Sequence, residues 1–252
     1  MTDRVVLEHA GERVAVQLGE LCGADEESVA ARDTAAALAL LDRLTAEAPP
    51  ARSLVAADRD RLLAAVYRRS YGTKVHTSIP CPACGESFDL EFDLAEMARA
   101  LAAEPAVDTA ADRPVQETPG VYRAADLRFR LPTGDDELAV ADLLPDEAEA
   151  MLAARCLLEG SADPARLGEA MRAAAPLLET ELDAPCPACA ATAHLTFDLQ
   201  DYLLDSILSE RRRRGEDIHR LARAYGWSLT EILTLTRRRR RELVELIERE
   251  GG

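Results

Sequence analysis

Cys81-Pro-Ala-Cys-Gly-Glu-Ser-Phe-Asp-Leu-Glu-Phe-Asp-Leu94 and Cys186-Pro-Ala-Cys-Ala-Ala-Thr-Ala-His-Leu-Thr-Phe-Asp-Leu199 align without a gap and share eight of fourteen residues. Each copy reads as a two-cysteine knuckle, a short strand, and an aspartate, Asp93 or Asp198, placed to cap the helix that follows. A Cys-x-x-Cys turn aims two thiolates at one point while backbone amides face the sulfurs. Two such turns complete the tetrahedral four-sulfur shell that structural zinc prefers. Cys81, Cys84, Cys186 and Cys189 are therefore expected to hold one structural Zn2+ ion. The pairs begin 105 residues apart, far beyond the roughly 15–20 of a compact ribbon. The reading is a split zinc ribbon whose halves meet in space around a helical insertion over 95–180.

The same cysteines also suit two metal-free core pairs, a redox dithiol or an iron–sulfur cluster. A redox motif normally lies between a strand and a helix start, whereas a strand follows each knuckle here. A closed four-thiolate shell leaves no position for water or substrate, so the expected metal is structural rather than catalytic. His76 and His194, each five positions from a cysteine, are secondary candidates for ligands. Cys22 and Cys156 stand alone and read as small buried hydrophobes.

Residues 4–21 alternate apolar and polar around Val5-Val6-Leu7 and Val14-Ala15-Val16, a short hairpin or two edge strands. Asp33 opens an apolar helix over 35–44 that stops before Pro49-Pro50. Another helix runs from 57 to 71 with Leu62, Leu63, Val66 and Tyr67 inward and Gly72 as its stop. Segment 105–120 has three prolines and little apolar periodicity, and reads as a linker. Residues 126–131 alternate as a strand, and helices are expected over 136–144, 145–159 and 164–179.

At the C-terminus an apolar helix over 203–207 leads into Arg211–Arg214, with Gly215 as a stop. Ile218, Leu221, Ala222 and Tyr225 then make one stripe ended by Gly226. Ser228-Leu-Thr-Glu231 is a capping box, and Thr236 caps a last helix carrying Arg237–Arg241. Three short helices are expected around Trp227. The fold class is α+β, mainly helical: an N-terminal α/β region (1–75), the split ribbon with its insertion (76–200), and a basic three-helix tail (201–252).

Only 4% of residues are aromatic and the net charge is -16. Nucleic-acid or acidic-membrane binding over the whole surface is thereby disfavoured, because such affinity needs a positive face. Residues 211–252 nevertheless carry twelve Arg against seven Asp and Glu. The start is polar and no run reaches the roughly 18 apolar residues of a membrane span. A cytoplasmic, reducing site of synthesis is expected. There is no nucleophile elbow, zincin helix, phosphate loop or dinucleotide turn, so no catalytic residues are assigned and the chain reads as a non-enzyme. The spacing of Ala222, Gly226 and Ile232 is that of a helix-turn-helix, which makes a zinc-ribbon nucleic-acid-binding regulator the alternative. Residues 229–235 lack the Arg, Asn or Gln that read base edges.

Ile218-His-Arg-Leu-Ala-Arg-Ala-Tyr-Gly-Trp-Ser-Leu-Thr-Glu-Ile-Leu233, followed by an arginine run and Leu-Val-Glu-Leu-Ile, resembles the closing motif of phage tail assembly chaperones and baseplate proteins. Asp58-Arg-Asp-Arg-Leu-Leu63, Tyr71-Gly72, the first knuckle and Phe129-Arg-Leu-Pro-Thr-Gly-Asp-Asp136 are similar to the baseplate hub assembly family of T-even-type phages, whose relatives occur in contractile injection systems. The resemblance implies a structural or assembly protein of a contractile tail, with baseplate hub, spike or tape-measure proteins as partners and a place in an oligomeric assembly. It would be retained in the particle or lost from it as a chaperone.

Overall fold

A computed structural model describes residues 4–9, 14–45, 48–103, 113–161 and 163–250. Strands β1 (Arg4–Leu7) and β2 (Val14–Gln17) pair antiparallel with Leu7 opposite Val14; their turn lies outside the described residues. Helices α1 (Gly23–Ser28), α2 (Thr34–Leu44) and α3 (Ala56–Tyr71) follow. Asp33 caps α2 by accepting the Ala36 amide at 2.8 Å. Leu62, Leu63, Val66 and Tyr67 are buried as their spacing predicts, in a core shared with Leu7, Val16, Leu38 and Leu41. Each leucine so buried contributes about 1.5–3 kcal/mol.

Strands β3 (Lys74–Pro80) and β4 (Ser87–Asp93) form a hairpin with the first knuckle at its tip, and α4 (Leu94–Ala103) leaves from its base. The insertion then departs from the expected helical excursion. Strands β5 (Val115–Thr118), β6 (Val121–Ala124) and β7 (Leu127–Arg130) come first, then α5 (Gly134–Val140), α6 (Pro145–Cys156), β8 (Leu157–Glu159) and α7 (Pro164–Ala174). The four strands make one antiparallel sheet in sequence order. The linker expectation over 105–120 therefore fails where it can be judged, since β5 is the sheet's exposed edge; 104–112 lie outside the described residues. Glu117 of β5 pairs with Arg123 and Arg128 at 2.5 and 2.9 Å, so cross-strand charge replaces apolar periodicity. The helix expected to reach 159 ends at Cys156, where Leu157 pairs with Phe129. The helix expected to reach 179 ends at Ala174, just before Pro176, which disfavours a helical residue before it. Tyr122, Leu127, Phe129 and Leu167 form a second core.

Strands β9 (Glu179–Pro185) and β10 (Thr192–Asp198) make the second hairpin, followed by α8 (Leu199–Ser209). The tail comprises α9 (Arg211–Tyr225), α10 (Leu229–Leu233) and α11 (Arg237–Glu250) around Leu221, Ile232, Leu243 and Val244. Two expectations are corrected here. Gly215 lies inside α9, the break falling earlier at Glu210, and Arg214 beside it turns inward to Glu27 at 2.6 Å. Trp227 is exposed and stacks on Tyr225 instead of forming the centre of the bundle.

Two charged segments fasten these parts. At the start of α3, Asp58 accepts the Glu8 and His9 amides at 2.7 and 2.9 Å, Arg59 reaches Glu137 of α5 at 2.8 Å, and Arg61 grips both oxygens of Glu8. Asp60 accepts the Leu178 amide at 2.8 Å. At the corner after β7, Asp136 accepts from Arg130 at 2.5 and 2.9 Å, from Arg155 at 2.7 Å and from Thr133 at 3.0 Å. The Gly134 amide donates to Leu54 at 3.1 Å. A Cβ on Gly134 would come within 2.9 Å of the Leu38 side chain and 3.0 Å of the Arg52 Cα, so this corner seats against the N-terminal region only with glycine there.

Burial pushes the Asp60 carboxyl up to about 7; the Leu178 amide and Arg59 oppose this, and Asp198 and Glu137 add to it. An unfolded aspartate ionises near 3.8. Between these values the folded state holds a proton that the unfolded chain has released, so stability falls as pH rises through the window. Asp60→Asn is expected to raise stability at pH 8 by about 2 kcal/mol, the buried amide NH2 offsetting part of the gain. Urea titrations at pH 4 and pH 8 check this: the gain should shrink towards pH 4, and a variant no more stable than wild type at pH 8 contradicts it.

Candidate metal centre

Each knuckle is a reverse turn at a hairpin tip, built by the same two hydrogen bonds. In the first, the Cys81 amide donates to Glu86 and the Gly85 amide to Cys81, at 2.8 and 2.9 Å; in the second, Cys186 donates to Ala191 and Ala190 to Cys186, at 2.9 and 2.8 Å. The fifth knuckle residue takes a left-handed backbone in both, Gly85 at φ 78 and Ala190 at φ 61. An L side chain there costs about 1–2 kcal/mol. Ala190→Gly is therefore expected to stabilise the chain by about 1 kcal/mol and Gly85→Ala to destabilise it similarly; denaturant midpoints that move in neither direction would show that the turns tolerate alanine.

The two tips meet. The four Sγ atoms lie within 4.8 Å of one another, with Cys81 and Cys189 3.6 Å apart and Cys84 and Cys186 3.8 Å apart. Cys81 matches Cys186 in the repeat and Cys84 matches Cys189, so these contacts are reciprocal, as across a two-fold interface. The correspondence runs further. Phe92 and Phe197 occupy equivalent positions and meet edge to face at 5.0 Å. The Leu94 amide donates to Thr73 and the Leu199 amide to Leu178, also equivalent pairs. Ile79, Ala184 and Ala193 form a small core beneath the knuckles, and the Tyr202 hydroxyl of α8 donates to the His76 carbonyl at 2.7 Å. The structural repeat thus begins at β3 and β9, strands preceding each knuckle that the sequence reading missed. Pro80 and Pro185, one residue before each first cysteine, were the surviving signal.

A single ion fits the cage. A regular tetrahedron with zinc–sulfur bonds of about 2.3 Å has sulfur–sulfur edges of about 3.8 Å, matching the two close pairs. Cys81 and Cys186 are buried while Cys84 and Cys189 are exposed, and all are free thiols. The Cys84 and Ala83 amides pull the Cys81 thiol down to about 6. At Cys84 the Glu86 amide also pulls down, but hydrogen bonding with Cys189, burial and its other cysteine neighbours prevail and push the thiol up to about 12. Four thiolates this close repel one another unless a cation neutralises them, which is the chemistry of a metal shell. A closed four-sulfur shell offers no open position for substrate.

The secondary candidates lie elsewhere. His76 sits 3.2 Å from Glu91 and His194 2.6 Å from Asp183, each an exposed pair on its own hairpin. Cys156 is fully buried as expected. Cys22 is not; it is half-buried at the start of α1, its amide bonded to Asp25 at 3.0 Å. Much of the arginine run is used internally. Arg237 and Arg241 share Glu210 at 2.6 and 2.8 Å, Arg240 makes a buried pair with Glu26, and Arg237 also covers the Tyr71 ring at 4.5 Å.

The sequence model of a family described as T4 bacteriophage base plate protein matches residues 18–159, more than half of the chain. The chain belongs to the T4 bacteriophage base plate protein family. No curated protein and no solved structure matches it significantly. The region matched to this baseplate family contains the charged start of α3, the first knuckle and the Asp136 corner, and ends before Cys186 and Cys189. Among the described residues no helix is long and apolar enough to cross a membrane.

Proposed function

We propose that this baseplate-family chain is a non-catalytic structural or assembly protein of a phage-like contractile tail, in which one zinc ion clasps the two hairpin repeats. The family match over 18–159 carries the assignment. The clasp is supported by four sulfurs within 4.8 Å of one another, two pairs of them at 3.6 and 3.8 Å. A polynuclear iron–sulfur cluster would need its cysteine sulfurs spread more widely, so a single ion suits the cage better. Synthesis in a reducing cytoplasm keeps the thiols available for metal.

The partners on this reading are baseplate hub, spike or tape-measure proteins. Arg212 and Arg238, exposed side chains of the tail's arginine runs that pair only with Glu216 and Glu242 of their own helices, offer charge to an acidic surface. The test is to express the native gene cluster with a tag on this chain. Stoichiometric copurification of baseplate components, with one zinc per chain by mass spectrometry, is the expected result; a free chain with no tail protein bound would remove the reading.

A further inference from the structure

The two repeats are finished differently. In the second, α8 is enclosed, with Leu203, Leu204 and Ile207 fully buried in the main core. In the first, α4 carries Ala98 where α8 carries Leu203, and its flank borders an open trough of about 570 Å³ against α3 and β1. Apart from four arginines, the side chains lining the trough are apolar, Val5, Ala64, Ala98, Leu101 and Leu177 among them.

Its charge is opposite to that of the protein. The chain carries 46 acidic and 30 basic residues, yet the charged residues lining the trough are Arg4, Arg61, Arg68 and Arg99, with no carboxylate. Arg61 is engaged by Glu8, and Arg99 lies 3.9 Å from Glu96. Arg4 and Arg68 are exposed and have no carboxylate partner among the described residues. Apolar floor and cationic rim reproduce one half of an interface, in which buried aliphatic contact supplies affinity and the rim selects the partner's sign.

We propose that this trough docks an acidic amphipathic helix of a baseplate partner, its apolar stripe on the floor and its carboxylates at the arginine rim. The proposal rests on the baseplate reading for the partner's identity. A helix fits because α3 and α4 present the ridges against which a third helix packs. Where the second repeat covers its helix with the chain's own elements, the first leaves that place to the partner.

The test uses the full, metal-loaded chain and a fluorescent helical peptide of about 18 residues, about 27 Å long, bearing a leucine stripe flanked by glutamates. Its twin carries lysines instead. The glutamate peptide is expected to bind at least about tenfold more tightly than the twin, more weakly as salt rises, and to lose about tenfold in affinity to Ala98→Glu and to Arg68→Glu. Both variants should keep the wild-type metal content and melting temperature. Equal binding of the twins, or binding indifferent to both substitutions, would overturn the trough. So would a wild-type dimer in sedimentation that Ala98→Glu dissociates, since a second copy would then be the occupant. Copurification separates the two ideas: an Ala98→Glu chain that still captures baseplate components overturns the trough alone. Peptide binding by a wild-type chain that captures none overturns the baseplate reading and leaves the trough's chemistry standing.

Discussion

Replacing Cys186 with serine is expected to release the ion and lower the thermal midpoint by about 10 °C. Structural zinc binds zinc-finger peptides with about 10–16 kcal/mol of apparent free energy. This chain also has a large core that needs no metal, so only part of that energy appears as lost stability. A loss of about 4 kcal/mol at 2–4 °C per kcal/mol gives a shift of that order. Cys186 is buried and faces Cys84 at 3.8 Å, so a serine there removes one corner of the shell and leaves three thiols that repel as thiolates. Because Cys81 is its equivalent in the repeat, Cys81→Ser should have the same effect. A chelator should bring wild type to the same midpoint. Cys156→Ser, far from the cage in sequence and pairing, should keep full metal content. Metal stoichiometry and thermal melts decide the matter: a Cys186→Ser chain with wild-type metal and midpoint would refute the clasp.

Asp136→Ala is expected to cost about 3–5 kcal/mol without loss of metal. The carboxylate is 2% exposed and is the acceptor for two arginines and the Thr133 amide. Removing it leaves Arg130 and Arg155 without their anion and the amide without its cap. The Arg130 hydrogen bond, followed against burial by the Thr133 amide and Arg155, holds its carboxyl well below the usual carboxylate range. Its contribution is therefore fully present above the ordinary aspartate value of about 3.9 and is lost only as pH falls through the depressed value. The Gly134 and Asp135 contacts to Leu54 and Arg52 depend on the same corner, so limited proteolysis should begin in the insertion. Asn at 136 keeps the shape and an acceptor, and should cost less than Ala. An Asp136→Ala chain that melts with wild type would show that the corner is held by packing instead.

The two knuckles were legible because a turn that aims two thiols at one point is written as Cys-x-x-Cys, whatever separates the turns. The helices around Leu38 and Leu62 were legible for a similar reason, since each buries one apolar stripe. Of the inserted sheet only β7 was, inside the strand expected over 126–131. The other three strands are four residues or shorter, with too little apolar alternation to register, and the sheet's outer face is held by Arg123, Arg128, Glu117 and Glu159. The two family-like segments, 58–63 and 129–136, were recognisable as patterns, but their work as fasteners depends on residues tens of positions away.

Sequence alone determined the two knuckles, their repeat and the main helical faces, because each is decided by residues within one turn or one short hairpin. Tertiary structure decided that the four sulfurs close into one cage, that the repeats are related by a pseudo-two-fold, and that Arg214, Arg237 and Arg240 turn inward. Those outcomes depend on elements far apart in the chain, and a charge or a thiol carries no mark of which distant partner will neutralise it.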